Sequence, residues 1–497
     1  MKKLITLLLS LALLATLLAG CKEKGKPATE DPAVTLRYGV TTEPDSLDPF
    51  LAAGADTKGL FFNVFEGLFK VGTDGGLNPA IATDYTVNGD STVWTFTIRT
   101  GVKFHNGAEL TPEDVEFSLG KAAEAGYYSF DKIADVAIDG NVVTVSLSEP
   151  NPEFLTVLTS EVVPKDYADQ ASAPVGTGPY KLESYKPQES LTFVRNEEYW
   201  GAEPEIDTVV VQIQASQTAL VTSLQSGNID AATVTAASID QLDASAYDIV
   251  TQNSNGPQIF VLNNTYEPLT DVRVRQALNY AVNRREIIDI VGSGYGVQSE
   301  SPLFPGLSKY YNENLYDAYP TDLETARSLL AAAGYPNGFD LEIKIPSNYD
   351  VHVQTGEVIV SQLQKIGVNA TIKTIDWNTW LDDVNKGANY QASVITISGR
   401  SVNPLVELKR YTSTSSSNFF HYTSAEFDDV YSRAGSELDA AKRVSLYKEL
   451  QQIVSDDAVS VYLLDIAGLT ALNKSFTGLL SYPIYGIIDF AALKTVG

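Results

Sequence analysis

Apolar and polar residues alternate with period two in several stretches of the chain, each predicting a half-buried strand. In "STVWTFTIRT", Trp94, Phe96 and Ile98 fall on one face, with Thr95 and Thr97 on the other. "NVVTVSLS" repeats the pattern with Val143, Val145 and Leu147. "FDLEIKIPS" turns Phe339, Leu341, Ile343 and Ile345 inward and Asp340, Glu342 and Lys344 outward. "TVVVQIQ", from Thr208, is nearly continuous apolar, the pattern of a strand covered on both faces.

Helices punctuate these strands. "TPEDVEFSLGKA" offers Thr111 as N-cap, Pro112 at the first helical position and acids in the first turn. "TDLETARSLLAAAG" spaces Thr321 and Glu324 as a capping box and stops at Gly334. "DVRVRQALNYAV" places Val274, Ala277, Leu278, Ala281 and Val282 on one helical face. Strands and helices mix throughout, which predicts an α/β protein. At 497 residues, 44% hydrophobic and 20% charged, the chain has an ordinary globular balance. That length corresponds to about three domain-sized units.

The first twenty residues stand apart. Lys2 and Lys3 precede the apolar run "LITLLLSLALLATLLAG", which ends in small residues before Cys21. This is the pattern of an export signal, and the run is short for a membrane span. Cys21 is the sole cysteine, so no disulfide forms within the chain. "LAGC" resembles the lipobox of bacterial lipoproteins, which implies cleavage before Cys21 and lipid on its sulfur. "KEKGKPATEDPA" then reads as a tether, giving a signal over 1–20, a tether over 21–35 and an expected place on the outer face of the cell membrane or in the periplasm.

The formal net charge of −27 disfavours nucleic acid and anionic lipid as partners. Catalytic signatures are missing as well. The chain has no G-x-S-x-G elbow, no H-E-x-x-H helix and no P-loop. His105, His352 and His421 lie far apart without metal-ligand spacing. No enzyme activity, metal or cofactor is expected.

"LRYGVTTEPDSLDPF", "VFEGLFKVGTDGGLNPAIATDYTV", "WTFTIRTGVKFHNGAELTPEDVEFSL", "GTGPYKLESYKPQESLTFVRNEEYWG" and "DVRVRQALNYAVNRREII" resemble family 5 extracellular solute-binding proteins. These are the dipeptide, oligopeptide and nickel-type receptors of ABC importers. The likeness runs in family order from about Leu36 to near the C-terminus. It implies a type II periplasmic-binding-protein-like fold: two lobes joined by hinge strands, with an extra N-terminal subdomain. Lobe one would span 36–262 plus 468–497, with the subdomain at 81–173, and lobe two 263–467. The hinge would lie near "FVLNN" and "LLDIAGL". A solute in the cleft would stabilise the closed form by touching both lobes. The implied partners are an ABC permease and its ATPase, and the receptor is expected to act as a monomer.

The resemblance also singles out "VITISGRSVNP". Where peptide receptors of the family carry an aspartate that meets the peptide's α-ammonium, this chain has Arg400, within Ser398, Gly399, Arg400 and Ser401. A guanidinium repels an ammonium and suits a carboxylate or phosphate, which it grips with two parallel hydrogen bonds. Two readings follow. Arg400 meets an anionic or hydrogen-bond-accepting solute group, or it pairs with an acid such as Glu43 or Asp376. Other cleft candidates are Thr41, Thr42 and Glu43 at the end of the first strand, with Phe61 and Phe65 opening the next helix. Trp377 follows a strand, and Asn418 and Phe419 would sit at the pocket mouth. The expected cargo is a small peptide or related organic solute. The rivals are a receptor for an acidic sugar or opine-like anion and a peptide- or pheromone-sensing receptor.

Overall fold

The computed structural model describes residues 33–252, 255–397, 399, 401–484 and 486–496. The predicted signal and Cys21 lie outside the described residues. So do Ser398 and Arg400.

A seven-stranded mixed sheet runs, in spatial order, Tyr247–Gln252, Gly468–Asn473, Ala231–Val234, Thr35–Val40, Thr208–Ile213, Ser190–Arg195 and Tyr180–Lys186. Thr35–Val40 is parallel to both its neighbours, with Leu36 opposite Val209 and Tyr38 opposite Val211, all four buried. Val210 and Ile213 on the same strand are only half-buried, so this apolar run is sealed fully on one face, not two.

A six-stranded mixed sheet has the order Val297–Gln298, Ser460–Asp465, Pro257–Leu262, Ala392–Thr396, Asp340–Pro346 and Asn369–Ile375. The helix Val272–Ala281 packs against it through Val274, Ala277, Leu278 and Ala281, the face that the periodicity predicts. A four-stranded antiparallel sheet, Ala82–Val87, Val93–Ile98, Val142–Leu147 and Ile133–Asp139, has its own core. There Trp94, Phe96, Ile98, Val143 and Val145 meet Val115 and Leu119 of the helix Pro112–Glu124. Asp114 Oδ2 accepts from both the backbone nitrogen and the hydroxyl of the N-cap Thr111, each at 2.8 Å.

Two local readings change. The helix Leu323–Ala332 is capped by Asp322, whose Oδ1 accepts from the Glu324 and Thr325 amides at 3.0 Å. Thr321 sits one residue too early to reach them. Lys344 does not face water but is buried, with its ammonium 2.8 Å from Asp383. Its partner comes from a distant segment, so a period-two count cannot anticipate it.

The chain passes from the first large sheet to the second between Gln252 and Pro257, and returns between Asp465 and Gly468. The first passage lies upstream of "FVLNN", because all of Pro257–Leu262 pairs inside the six-stranded sheet. Asp465 ties the two passages together: its carboxylate accepts from Asn255 N at 2.9 Å and Gly256 N at 3.2 Å. Asn255 adopts φ +53° there, and its side-chain amide donates to Tyr482 O at 2.6 Å. Gly399 packs onto the same node through a 2.7 Å bond to Asn255 O. A Cβ at Gly399 would stand 2.2 Å from the Phe304 ring, so only glycine fits without displacement.

Candidate ligand-binding site

A cavity of about 540 Å³ lies among the sequence-predicted residues, within the range of small-molecule sites. Its walls come from four parts of the chain, one of them Ile484 and Ile487 near the C-terminus. Residues 58–71 supply Lys58, Phe61, Phe62, Phe65, Glu66 and Lys70, the small-sheet region supplies Tyr127, Tyr128 and Glu161, and Ser401 and Val406 come from beyond the end of the strand Ala392–Thr396. Sequence from both large-sheet regions therefore closes over one space. The lining is rich in aromatic rings, with Phe61 and Phe65 edge-to-face at 5.8 Å and Lys70 4.3 Å above the Phe62 ring.

Within this wall Glu66 is fully engaged. Its Oε1 accepts from Tyr199 at 2.7 Å, and its Oε2 accepts from Trp200 Nε1 at 2.7 Å and Thr177 Oγ1 at 3.1 Å. Burial holds this carboxyl above the ordinary carboxylate range, against the pull of Lys70 and these donors. Gly176 and Gly178 allow the approach, since a Cβ at either would lie 2.1 Å and 2.4 Å from the carbonyls of Val64 and Asn63.

The sequence-predicted residues divide. Phe61, Phe65 and Ser401 line the 540 Å³ cavity, although the helix Ala55–Phe61 ends at Phe61 and does not begin there. Thr41 and Thr42 line a separate space of about 320 Å³, walled by the first strand and by residues 479–488. Glu43 lines neither. Its carboxylate accepts from the Tyr185 hydroxyl and from Gln188 N, bracing the neighbouring hairpin and lying below the usual carboxylate range. Trp377 is half-buried, stacked 5.0 Å from Trp380 and edge-on to Tyr349 at 5.6 Å, so it covers the sheet. Asn418 closes a turn by donating to Tyr422 O at 2.7 Å and Thr412 O at 3.2 Å. Phe419 is core, 4.5 Å from Phe420. Asp376 caps its own helix through Thr379. Sequence reading missed Lys58, Glu66, Lys70 and Glu161, which carry no motif. The one available signal was the placement of Lys58, Glu66 and Lys70 in "KGLFFNVFEGLFK" beside Phe65; Glu161 had none.

His105 and His352 are structural. His105 Nδ1 accepts from Gly176 N at 3.3 Å, its Nε2 meets Gly178 O at 3.0 Å, and burial pushes its pKa down to about 4. His352 meets Gln258 at 2.8 Å, and burial likewise pushes it down to about 4. Such groups stay neutral in the fold but bind protons in the unfolded chain below about 6.5, so stability falls as pH drops from there toward 4. Between pH 7 and pH 5, His352→Gln is therefore expected to lose roughly 2 kcal/mol less stability than the parent in urea titrations. Equal losses would show that His352 is not held neutral. Among the described residues no His, Cys, Asp and Glu group is arranged to hold a metal.

Two sheet-bearing regions, joined by paired crossings and closing on an aromatic cavity, define a solute-binding protein of the periplasmic type II class. The sequence profile of the bacterial extracellular solute-binding proteins, family 5 (middle), matches residues 76–419, and the chain belongs to that family. It is a binding protein and not an enzyme. It is 28% identical to the heme-binding protein A of Haemophilus influenzae, over 86% of each chain. To the dipeptide-binding protein of Escherichia coli it is 27% identical, over 91% of this chain and 93% of the relative. The crystal structure of the ABC transporter substrate-binding protein CtaP from Listeria monocytogenes has the same fold. It superposes with a TM-score of 0.85 at 23% identity, covering 93% of this chain and 99% of that one.

Proposed function

We propose that this chain is the receptor of an ABC importer, held at the outer face of the membrane by lipid on Cys21, and that it captures a small peptide or related organic solute. The single observation that carries the reading is the 540 Å³ aromatic cavity whose wall combines residues 58–71 with Ser401 and Val406. A solute there touches both large-sheet regions at once and so favours closure. The lobes would meet at the paired crossings near Asn255 and Ile466, and closure would present the loaded form to the permease. Native mass spectrometry of the purified protein tests this: a co-purifying small solute, released on unfolding, is expected. A protein that binds nothing from its growth medium would refute it.

Arg400 favours a second reading, a receptor for an organic anion. It stands where the peptide receptors carry an acid, and Ser401, next in the chain, lines the cavity. A charge-assisted hydrogen bond contributes about 1.5–3 kcal/mol. Arg400→Ala is therefore expected to weaken the co-purifying solute roughly 10–100-fold in calorimetry. Unchanged affinity would leave Arg400 outside recognition.

A further inference from the structure

We infer that Glu161 forms an amine-receiving subsite in the wall of the 540 Å³ cavity, taking a protonated amine of the bound solute. This rests on the solute-capture reading above and adds the charge of one end of the cargo. Glu161 lines the cavity, and its Oε2 is shut off from water with no hydrogen-bond partner. An unmet buried carboxylate oxygen is costly, and folded proteins leave few of them.

Lys58 and Glu161's own backbone amide favour its charge but do not overcome burial, and Lys58 makes no direct contact with the carboxylate. Lys58 donates to the Tyr127 hydroxyl at 2.9 Å and lies 4.6 Å above that ring; no Lys58–Glu161 ion pair forms. Asp48 adds a second negative charge near Glu161, so acids outnumber the single lysine at this corner. Glu66, the other acid of the cavity, has both oxygens filled by neutral donors and offers a cation nothing comparable. Tyr127, Tyr128 and Phe130 line the same space, and aromatic faces attract a cation that sheds its water. An incoming amine thus meets an unsatisfied acid flanked by rings. Burial, with Asp48 adding to it, holds the Glu161 carboxyl above the ordinary range, and an adjacent cation would restore its charge.

The probe is yeast extract, whole and after exhaustive acetylation of its amines, incubated with the full chain and with Glu161→Gln and followed by native mass spectrometry. The solutes retained from whole extract are expected to carry an amine, and their retention is expected to fall at least tenfold on acetylation and in Glu161→Gln. Because the acetylated extract is compared with whole extract on the parent protein, that arm stands even if the variant folds poorly. Retained solutes without an amine, or retention unaltered by acetylation, would overturn the subsite and leave solute capture intact. No retained solute from either extract would overturn both.

Discussion

Arg443→Ala is expected to cost roughly 3–5 kcal/mol of folding stability, because it leaves a buried carboxylate without its counter-ion. Arg443, on the helix Ala440–Asp456, places Nε 2.5 Å from Glu153 Oε1, with both side chains at most a tenth exposed. The guanidinium also donates to the Glu437 carbonyl at 2.8 Å, and the Tyr447 hydroxyl lies 3.3 Å from the same Glu153 oxygen. Burial opposes the charge on Arg443, but Glu153 outweighs it and raises the pKa. The pair is separated by 290 residues and joins the small-sheet region to the six-stranded-sheet region. Its loss therefore removes a clasp between the parts that the cavity separates. A buried ion pair need not add net stability over an apolar pair, since both charges are desolvated. The decisive comparison is the double variant Glu153→Gln with Arg443→Met, in which no charge is stranded. It is expected to recover most of the loss seen in Arg443→Ala. Single variants within 0.5 kcal/mol of the parent in urea titrations would show that the pair is open in solution.

Why some of this was legible in the sequence and some was not follows from the range of each interaction. Trp94, Phe96 and Ile98 announce their strand because a period of two is local, and Thr111 announces its helix because a cap is satisfied within one turn. Lys344 and Asp383 are 39 residues apart, so the same period-two logic sent Lys344 the wrong way. "TVVVQIQ" shows an apolar run but not how much of its second face is covered. The sheet crossing was placed too late because Pro257–Leu262 reads as a strand in either sheet, and only its partners, Ala392–Thr396 and Ser460–Asp465, say which. The strand-end rule led with Thr41 and Thr42 to the smaller, separate space and not to the 540 Å³ cavity, and a hydroxyl from Tyr185 claims Glu43. The blocks shared with the family carried the fold. The cavity's charged residues lie outside any spacing rule.

Glu66 shows how a cavity residue can serve the frame instead of the cargo, and Glu66→Leu is expected to be as damaging as the loss of Arg443. "FEGLF", "GTGPY" and "EEYWG" lie apart in the sequence. The structure joins all three around one carboxylate, which accepts from Tyr199, Trp200 and Thr177. Leucine fills the volume but strands three donors, two from large aromatics that would otherwise need water. Leaving a buried donor unmet costs about 1–3 kcal/mol, so a loss of roughly 3–5 kcal/mol is expected even if one donor finds another partner. Glu66→Gln keeps an acceptor for Trp200 and Thr177 and can donate to the Tyr199 hydroxyl, so it is expected to lose less than half as much. Urea unfolding of the two variants separates the roles, with solute affinity measured alongside. A structural Glu66 predicts a large stability gap between Leu and Gln with nearly equal solute affinity in Gln and parent. A Gln variant that is stable but no longer binds would instead place Glu66 in contact with the cargo, and the Tyr199–Trp200 hydrogen bonds would then be positioning a ligand group.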